Sequence, residues 1–276
     1  MSIEGIPITD DHIHIDLRHG RGVLAARDFQ RAGGSHIFLV SKPSWSHDIA
    51  PSSGSDFRQV FDETILAAQK CRESGLVVFS ILGVHPAEIG RLSERMPLSE
   101  AVSVMKGGLD IAASFVDEGE AVAIKSGRPH YPVGEEVWAA ANEVLMHALV
   151  LGAECGCSVQ IHAETGPCAD VVDMARKAGL DPEKVIKHYG VPETPLSPSM
   201  MAKDEAIPDM AASGRLFSME SDYMDDLTRP GSVLGPKSVP RFSRRLLEAE
   251  RITEEDLWHI HTEAPSKFYG VEINLP

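Results

Sequence analysis

His12 and His14 stand two residues apart in the segment Pro7-Ile-Thr-Asp-Asp-His-Ile-His-Ile-Asp16. Side chains on a β-strand alternate between faces, so this spacing points both imidazoles the same way. Two imidazoles on one face, flanked by Asp10, Asp11 and Asp16, suit a divalent cation. His259 and His261 repeat the spacing but follow Thr253-Glu-Glu-Asp-Leu, which opens a helix, where positions i and i+2 diverge. Only the first pair is placed to chelate.

The chain must supply a scaffold that brings further ligands to this pair. Short apolar runs predict strands at residues 7–13, 36–40, 76–84, 121–124, 158–162, 185–188 and 216–221, with a weaker eighth at 196–201. Helical patterns separate them. Phe57, Phe61, Ile65 and Ala68 form one stripe, with Ser55 as the expected cap. Val137, Ala141, Val144, Leu145, Ala148 and Leu151 form another, expected to end at Gly152, and a third helix through Val171 and Met174 is expected to end at Gly179. Strands separated by helices imply parallel pairing, and about eight such units imply a (β/α)8 TIM barrel with outer helices. A doubly wound open sheet is the alternative, but no Gly-x-Gly-x-x-Gly follows an early strand. No linker or repeat divides the chain, so residues 1–276 are expected to form one domain.

In such a barrel the C-terminal ends of the strands share one mouth. Strand three ends at His85-Pro86, and strand four at Lys125, followed by Arg128, His130 and Tyr131. Strand five ends at His162-Ala-Glu164, strand six at His188, and the last at Glu220-Ser-Asp222. A single histidine in such a place is more often a structural one, but histidines closing several strands, with an aspartate closing another, point to a metal site.

These pieces resemble the TatD-related metal-dependent hydrolases of the amidohydrolase superfamily. The matching segments are Asp10-Asp11-His12-Ile-His14-Ile-Asp16, Gly83-Val-His85-Pro86, Ile161-His162, His188-Tyr-Gly190, Glu220-Ser-Asp222 and Ala264-Pro-Ser-Lys-Phe-Tyr-Gly270, in family order across nearly the whole chain. The resemblance implies that His12 and His14 bind one metal and His162 and His188 a second, with Asp222 both a ligand and the acceptor of a proton from the attacking water. One or two divalent ions are expected: zinc first, then manganese, iron, cobalt, nickel or magnesium, since imidazole and carboxylate donors accept them all. A bound metal lowers the pKa of water towards roughly 7, which makes hydroxide available at neutral pH.

Lys125 departs from that pattern, because the family usually carries a glutamate ligand at the end of strand four. Three readings stand. The lysine carries a carbamate from carbon dioxide and bridges two metals, as in phosphotriesterase-like members of the superfamily. Alternatively the site has lost a metal and Lys125 binds an anionic substrate, or Lys125 is a solvated surface residue. His85, Arg128, His130 and Glu164 are candidate substrate contacts; Arg128 either clamps a phosphate or pairs with an acid such as Glu164 or Glu220.

The expected activity is cleavage of a phosphoester, in a DNA 3′-end or a small phosphodiester. A lactonase, amidase or phosphotriesterase-like activity with carboxylated Lys125 is the alternative, and a non-catalytic metal-binding barrel is a further one. The balance of 26 basic and 41 acidic residues, net −15, disfavours a nucleic-acid scaffold, and no basic, aromatic-interleaved groove is visible. The expected partner is therefore a small-molecule or nucleotide substrate, with DNA not excluded; the oligomeric state is not legible. There is no apolar run of membrane length and no leader pattern, and Cys71, Cys155, Cys157 and Cys168 form no Cys-x-x-Cys pair, so a cytoplasmic chain with reduced thiols is expected. Specificity is expected in mouth loops at 41–56 and 228–239.

Overall fold

The computed structural model describes residues 5–228 and 233–275, so part of the second expected specificity loop, residues 229–232, lies outside the described residues. Strands β1 (Thr9–His14), β2 (His36–Val40), β3 (Val77–Gly83), β4 (Ala123–Gly127), β5 (Ser158–His162), β6 (Val185–Lys187), β7 (Ser197–Met201) and β8 (Ser218–Glu220) neighbour one another in chain order, each pair parallel. Two residues after β8, β9 (Tyr223–Met224) pairs in parallel with β1 at Ile13 and His14. β8 and β9 are thus one path interrupted at Ser221 and Asp222, and it closes the sheet onto β1. The Asp222 N–H donates to the His12 carbonyl at 2.9 Å across that seam. The fold is a TIM barrel.

Helices α1 (Val23–Arg31), α2 (Phe57–Arg72), α3 (Glu88–Ser93), α4 (Leu98–Asp117), α5 (Glu135–Glu154), α6 (Asp170–Ala178) and α7 (Ile207–Ala212) fill the crossovers, and α8 (Ser238–Glu248), α9 (Glu254–Trp258) and α10 (Ala264–Tyr269) complete the chain. The stretch between β6 and β7 has no helix. The α2 stripe buries Phe57, Val60, Phe61, Ile65 and Ala68 against the sheet, as its spacing requires. Its cap lies earlier than expected: Ser53 and Asp56 form a capping box around the short turn Gly54–Asp56 that leads into α2. Gly152 does not end α5. It sits where a Cβ would come within 2.6 Å of Val159 Cγ2, so its role is close approach of helix to strand rather than termination. Gly179 does end α6, in the left-handed conformation at φ 81°.

The main core lies between the sheet and α2, α4, α5 and α6, with Phe61, Leu109, Ile124, Leu145 and Val159 fully buried. Each such side chain contributes about 1.5–3 kcal/mol relative to exposure. α10 returns Phe268 and Tyr269 to the barrel, where Phe38 stacks between Tyr269 (4.2 Å) and Phe79 (5.0 Å). Among the described residues no helix is long and apolar enough to cross a membrane, and all four cysteines are free.

Candidate metal centre

β1 is buried along its whole length and carries an irregularity between Asp10 and Ile13. His12 and His14 still face together, with their Nε2 atoms 3.1 Å apart. β6 delivers His188 and the seam delivers Asp222. Oδ1 of Asp222 lies 3.6 Å from Nε2 of His12, 3.7 Å from that of His14 and 3.9 Å from that of His188. The rings of His12 and His188 stack at 3.7 Å. Donor atoms of His12, His188 and Asp222 all lie within 4.8 Å of one another, and all three residues are buried.

The surroundings hold these groups in place. Nδ1 of His14 lies 2.7 Å from the Val40 carbonyl; a carbonyl only accepts, so the proton sits on Nδ1 and Nε2 presents a lone pair. Nδ1 of His188 touches Oε1 of Glu220 at 2.7 Å, though not aligned as a hydrogen bond. Glu220 in turn accepts from Ser199 Oγ (2.6 Å) and the Tyr189 N–H (3.0 Å). Asp10 accepts from the Ser221 N–H at 3.0 Å and so braces the seam at which Asp222 turns. Asp222 and Tyr189 are both left-handed, at φ 45° and 52°, an unfavourable conformation for residues with a Cβ. Such strain gathers at sites where a side chain must be aimed.

Burial dominates the protonation states. It holds His12, His14 and His188 well below the usual imidazole range, with Lys125 nearby adding to the effect. Asp222 is pushed up to about 6 by burial, against the pull of Lys125 and Tyr189, and is ionised at neutral pH. Burial lowers Lys125 to about 8. Three neutral imidazole lone pairs and one carboxylate therefore converge with few protons among them, a donor set that fits a divalent cation of the zinc, manganese or iron type. His12, His14, His188 and Asp222 would hold it.

Lys125 is 2% exposed and its Nζ lies 3.1 Å from Nε2 of His12, which removes the reading of a solvated surface lysine. His162 lies beside this cage, next to His188. Its Nε2 lies 2.8 Å from Nδ1 of His130, and its ring is 4.9 Å from that of His85 and 5.3 Å from that of His188. The structure thus groups His188 with His12, and His162 with His130 and His85 at the rim. Arg128 is 1% exposed and spends all five N–H donors internally, on Glu164, Asp170 and Asn142, while stacking over Trp138. It ties the loops after β4 and β5 together and keeps no donor for a substrate; Glu164 is its partner.

His261, in a π-helical turn (His259–Glu263), is buried against Ser243 and Thr9, whereas His259 faces Glu263 outside, so this pair diverges as the helical spacing requires. Sequence reasoning missed Tyr189, Trp45 and Arg91. Tyr189 was visible only as the residue after a strand-end histidine; Trp45 sits on a short turn and Arg91 on the short helix α3, neither with a periodic signal. A cavity of about 600 Å³ opens above Asp222, lined also by Lys42, Trp45, His85, Arg91 and His130.

A model of the TatD related DNase family matches residues 9–270. The chain belongs to this family. It is therefore a metal-dependent hydrolase of the class that acts on ester or phosphoester bonds. The chain is 36% identical over 290 positions to the uncharacterized protein MJ1127 of Methanocaldococcus jannaschii, covering 99% of each. Among solved structures, the phosphotriesterase homology protein of Escherichia coli, complexed with phosphate in its active site, superposes with a TM-score of 0.63 at 13% identity, covering 98% of this chain and 100% of that one. The organophosphorus hydrolase of Deinococcus radiodurans superposes with a TM-score of 0.59 at 14% identity, over 96% and 92%. At these identities the likeness concerns the fold, and it is the same barrel that frames this TatD-family site.

Proposed function

We propose that this TatD-family hydrolase cleaves a phosphoester bond in a small phosphodiester or nucleotide. The observation that carries the reading is the convergence of His12, His14 and His188 on Asp222 at the floor of the 600 Å³ cavity. A divalent metal held there would acidify a water and polarise the scissile oxygen. Asp222, ionised and reached from the cavity, accepts the proton released as water attacks. His14, held by the Val40 carbonyl, keeps its Nε2 atom aimed without reorganisation, and His188 packs against Glu220. The cavity volume suits a ligand of nucleotide size, and the net charge of −15 gives a nucleic-acid duplex no general attraction.

A second reading is favoured by Lys125, whose amine stands inside the cage. Addition of carbon dioxide to the neutral amine, with loss of one proton, gives an anionic carbamate there, and the activity shifts to a lactonase, amidase or phosphotriesterase type.

Asp222→Asn tests the leading reading on bis(4-nitrophenyl) phosphate with metal supplied. Turnover should fall by about 10²–10⁴, the range of a lost proton acceptor, while inorganic phosphate still competes for the site. Unchanged turnover would remove Asp222 from the reaction.

A further inference from the structure

The cations lining the cavity are mostly committed. Lys42 Nζ donates to Asp16 Oδ2 (2.6 Å) and the Asp225 carbonyl (3.0 Å), and His19 faces Asp48 at 3.2 Å. Burial keeps His85 neutral. Arg91, on the exposed side of α3, differs: among the described residues no carboxylate lies within ion-pair distance of it and no acceptor takes its N–H donors. Glu88, one turn earlier on the same helix, is buried and accepts from the Ser44 N–H at 2.7 Å instead.

The guanidinium is nonetheless positioned. Its carbon lies 4.2 Å over the Trp45 ring, and the edge of that ring meets His85 at 5.9 Å and 80°. The Ser44–Glu88 hydrogen bond ties the short turn bearing Trp45 to α3, which bears Arg91. A stacked guanidinium keeps its in-plane N–H fork open, and that fork matches phosphate oxygens in pairs. Asp222 and Arg91 line the same cavity, so one ligand can touch both.

We propose that Arg91, braced on Trp45, is an anion subsite that binds a second, terminal phosphate on the substrate, apart from the bond that is cut. The substrate is then a short nucleotide or other small phosphodiester with a phosphorylated end. This rests on the phosphoester reading of the Asp222 site. In a chain of net charge −15 such a subsite also supplies the local attraction that the overall field denies to an anion.

The test compares a 5′-phosphorylated thymidine dinucleotide with its unphosphorylated twin, by calorimetric binding to metal-loaded Asp222→Asn protein. The phosphorylated ligand should bind about 10- to 100-fold tighter, the range of charge-assisted hydrogen bonds. Arg91→Met on that background should bring the two affinities together, and Arg91→Lys should restore part of the preference, since an ammonium keeps the charge but not the fork. Arg91 is exposed, so circular dichroism should be unchanged. Equal affinities before the change, a preference that survives Arg91→Met, or no binding of either dinucleotide overturns the subsite. If the preference holds but the unmodified enzyme cleaves neither dinucleotide, the subsite stands and the phosphoester reading falls.

Discussion

Lys125 sits among three neutral imidazoles with its amine 3.1 Å from one of them, and burial brings it to about 8, so an appreciable fraction is neutral near physiological pH. A neutral, desolvated amine is the form that adds carbon dioxide. With bicarbonate present, native mass spectrometry should show one carbon dioxide retained on the protein and absent from Lys125→Ala; two metals at full occupancy in Lys125→Ala without added carboxylate would end the bridging reading. At this scale sequence alone reaches unevenly. The His12–His14 spacing was legible because strand geometry fixes which way alternate side chains point. The choice between the two roles of Arg128 was not, because a guanidinium's role is set by which acids meet it. Glu164 and Asp170 reach Arg128 from elsewhere in the chain, while Arg91 meets a tryptophan.

Strands were legible as elements because buried parallel strands read as continuous apolar runs, and even the weak eighth run became β7. What the pattern could not show was the interruption at Ser221 and Asp222, which depends on β1 bonding to both sides of the seam. The same holds for the π-helical turn at His259–Glu263. Its His261 joins three elements: Nδ1 lies 3.1 Å from the Thr9 carbonyl of β1 and Nε2 lies 2.8 Å from Ser243 Oγ of α8. Burial lowers its pKa to about 4, against about 6.5 in an unfolded chain. Between those values the unfolded chain binds one more proton, so this histidine's stabilisation is complete above pH 6.5 and declines as pH falls to 4. The decline is about 1.4 kcal/mol per pH unit. His261→Gln, uncharged throughout, should flatten the pH dependence of unfolding free energy in this window by about one proton in urea titrations; an unaltered slope would mean His261 is already charged in the folded protein.

Across the whole molecule, the cage draws on β1, β6 and the seam that closes the barrel, so an ion bound there ties first and last strands together. Without a cation, three inward lone pairs and a buried carboxylate face one another, relieved by the Lys125 amine and by the hydrogen bond between Tyr189 and Asp222. Binding to the folded state alone stabilises in proportion to RT ln(1 + [L]/Kd), about 4 kcal/mol at a thousandfold excess over Kd. For a chain of this size each kcal/mol moves the melting midpoint by about 2–4 °C, so the shift should be on the order of 10 °C. Scanning calorimetry of chelated and zinc-reloaded protein should show that rise, and replacing His12 and His188 by alanine should abolish it. A midpoint indifferent to chelation would mean that Lys125, not a metal, satisfies the cage, and would move the chemistry of this barrel to an ammonium-centred anion site.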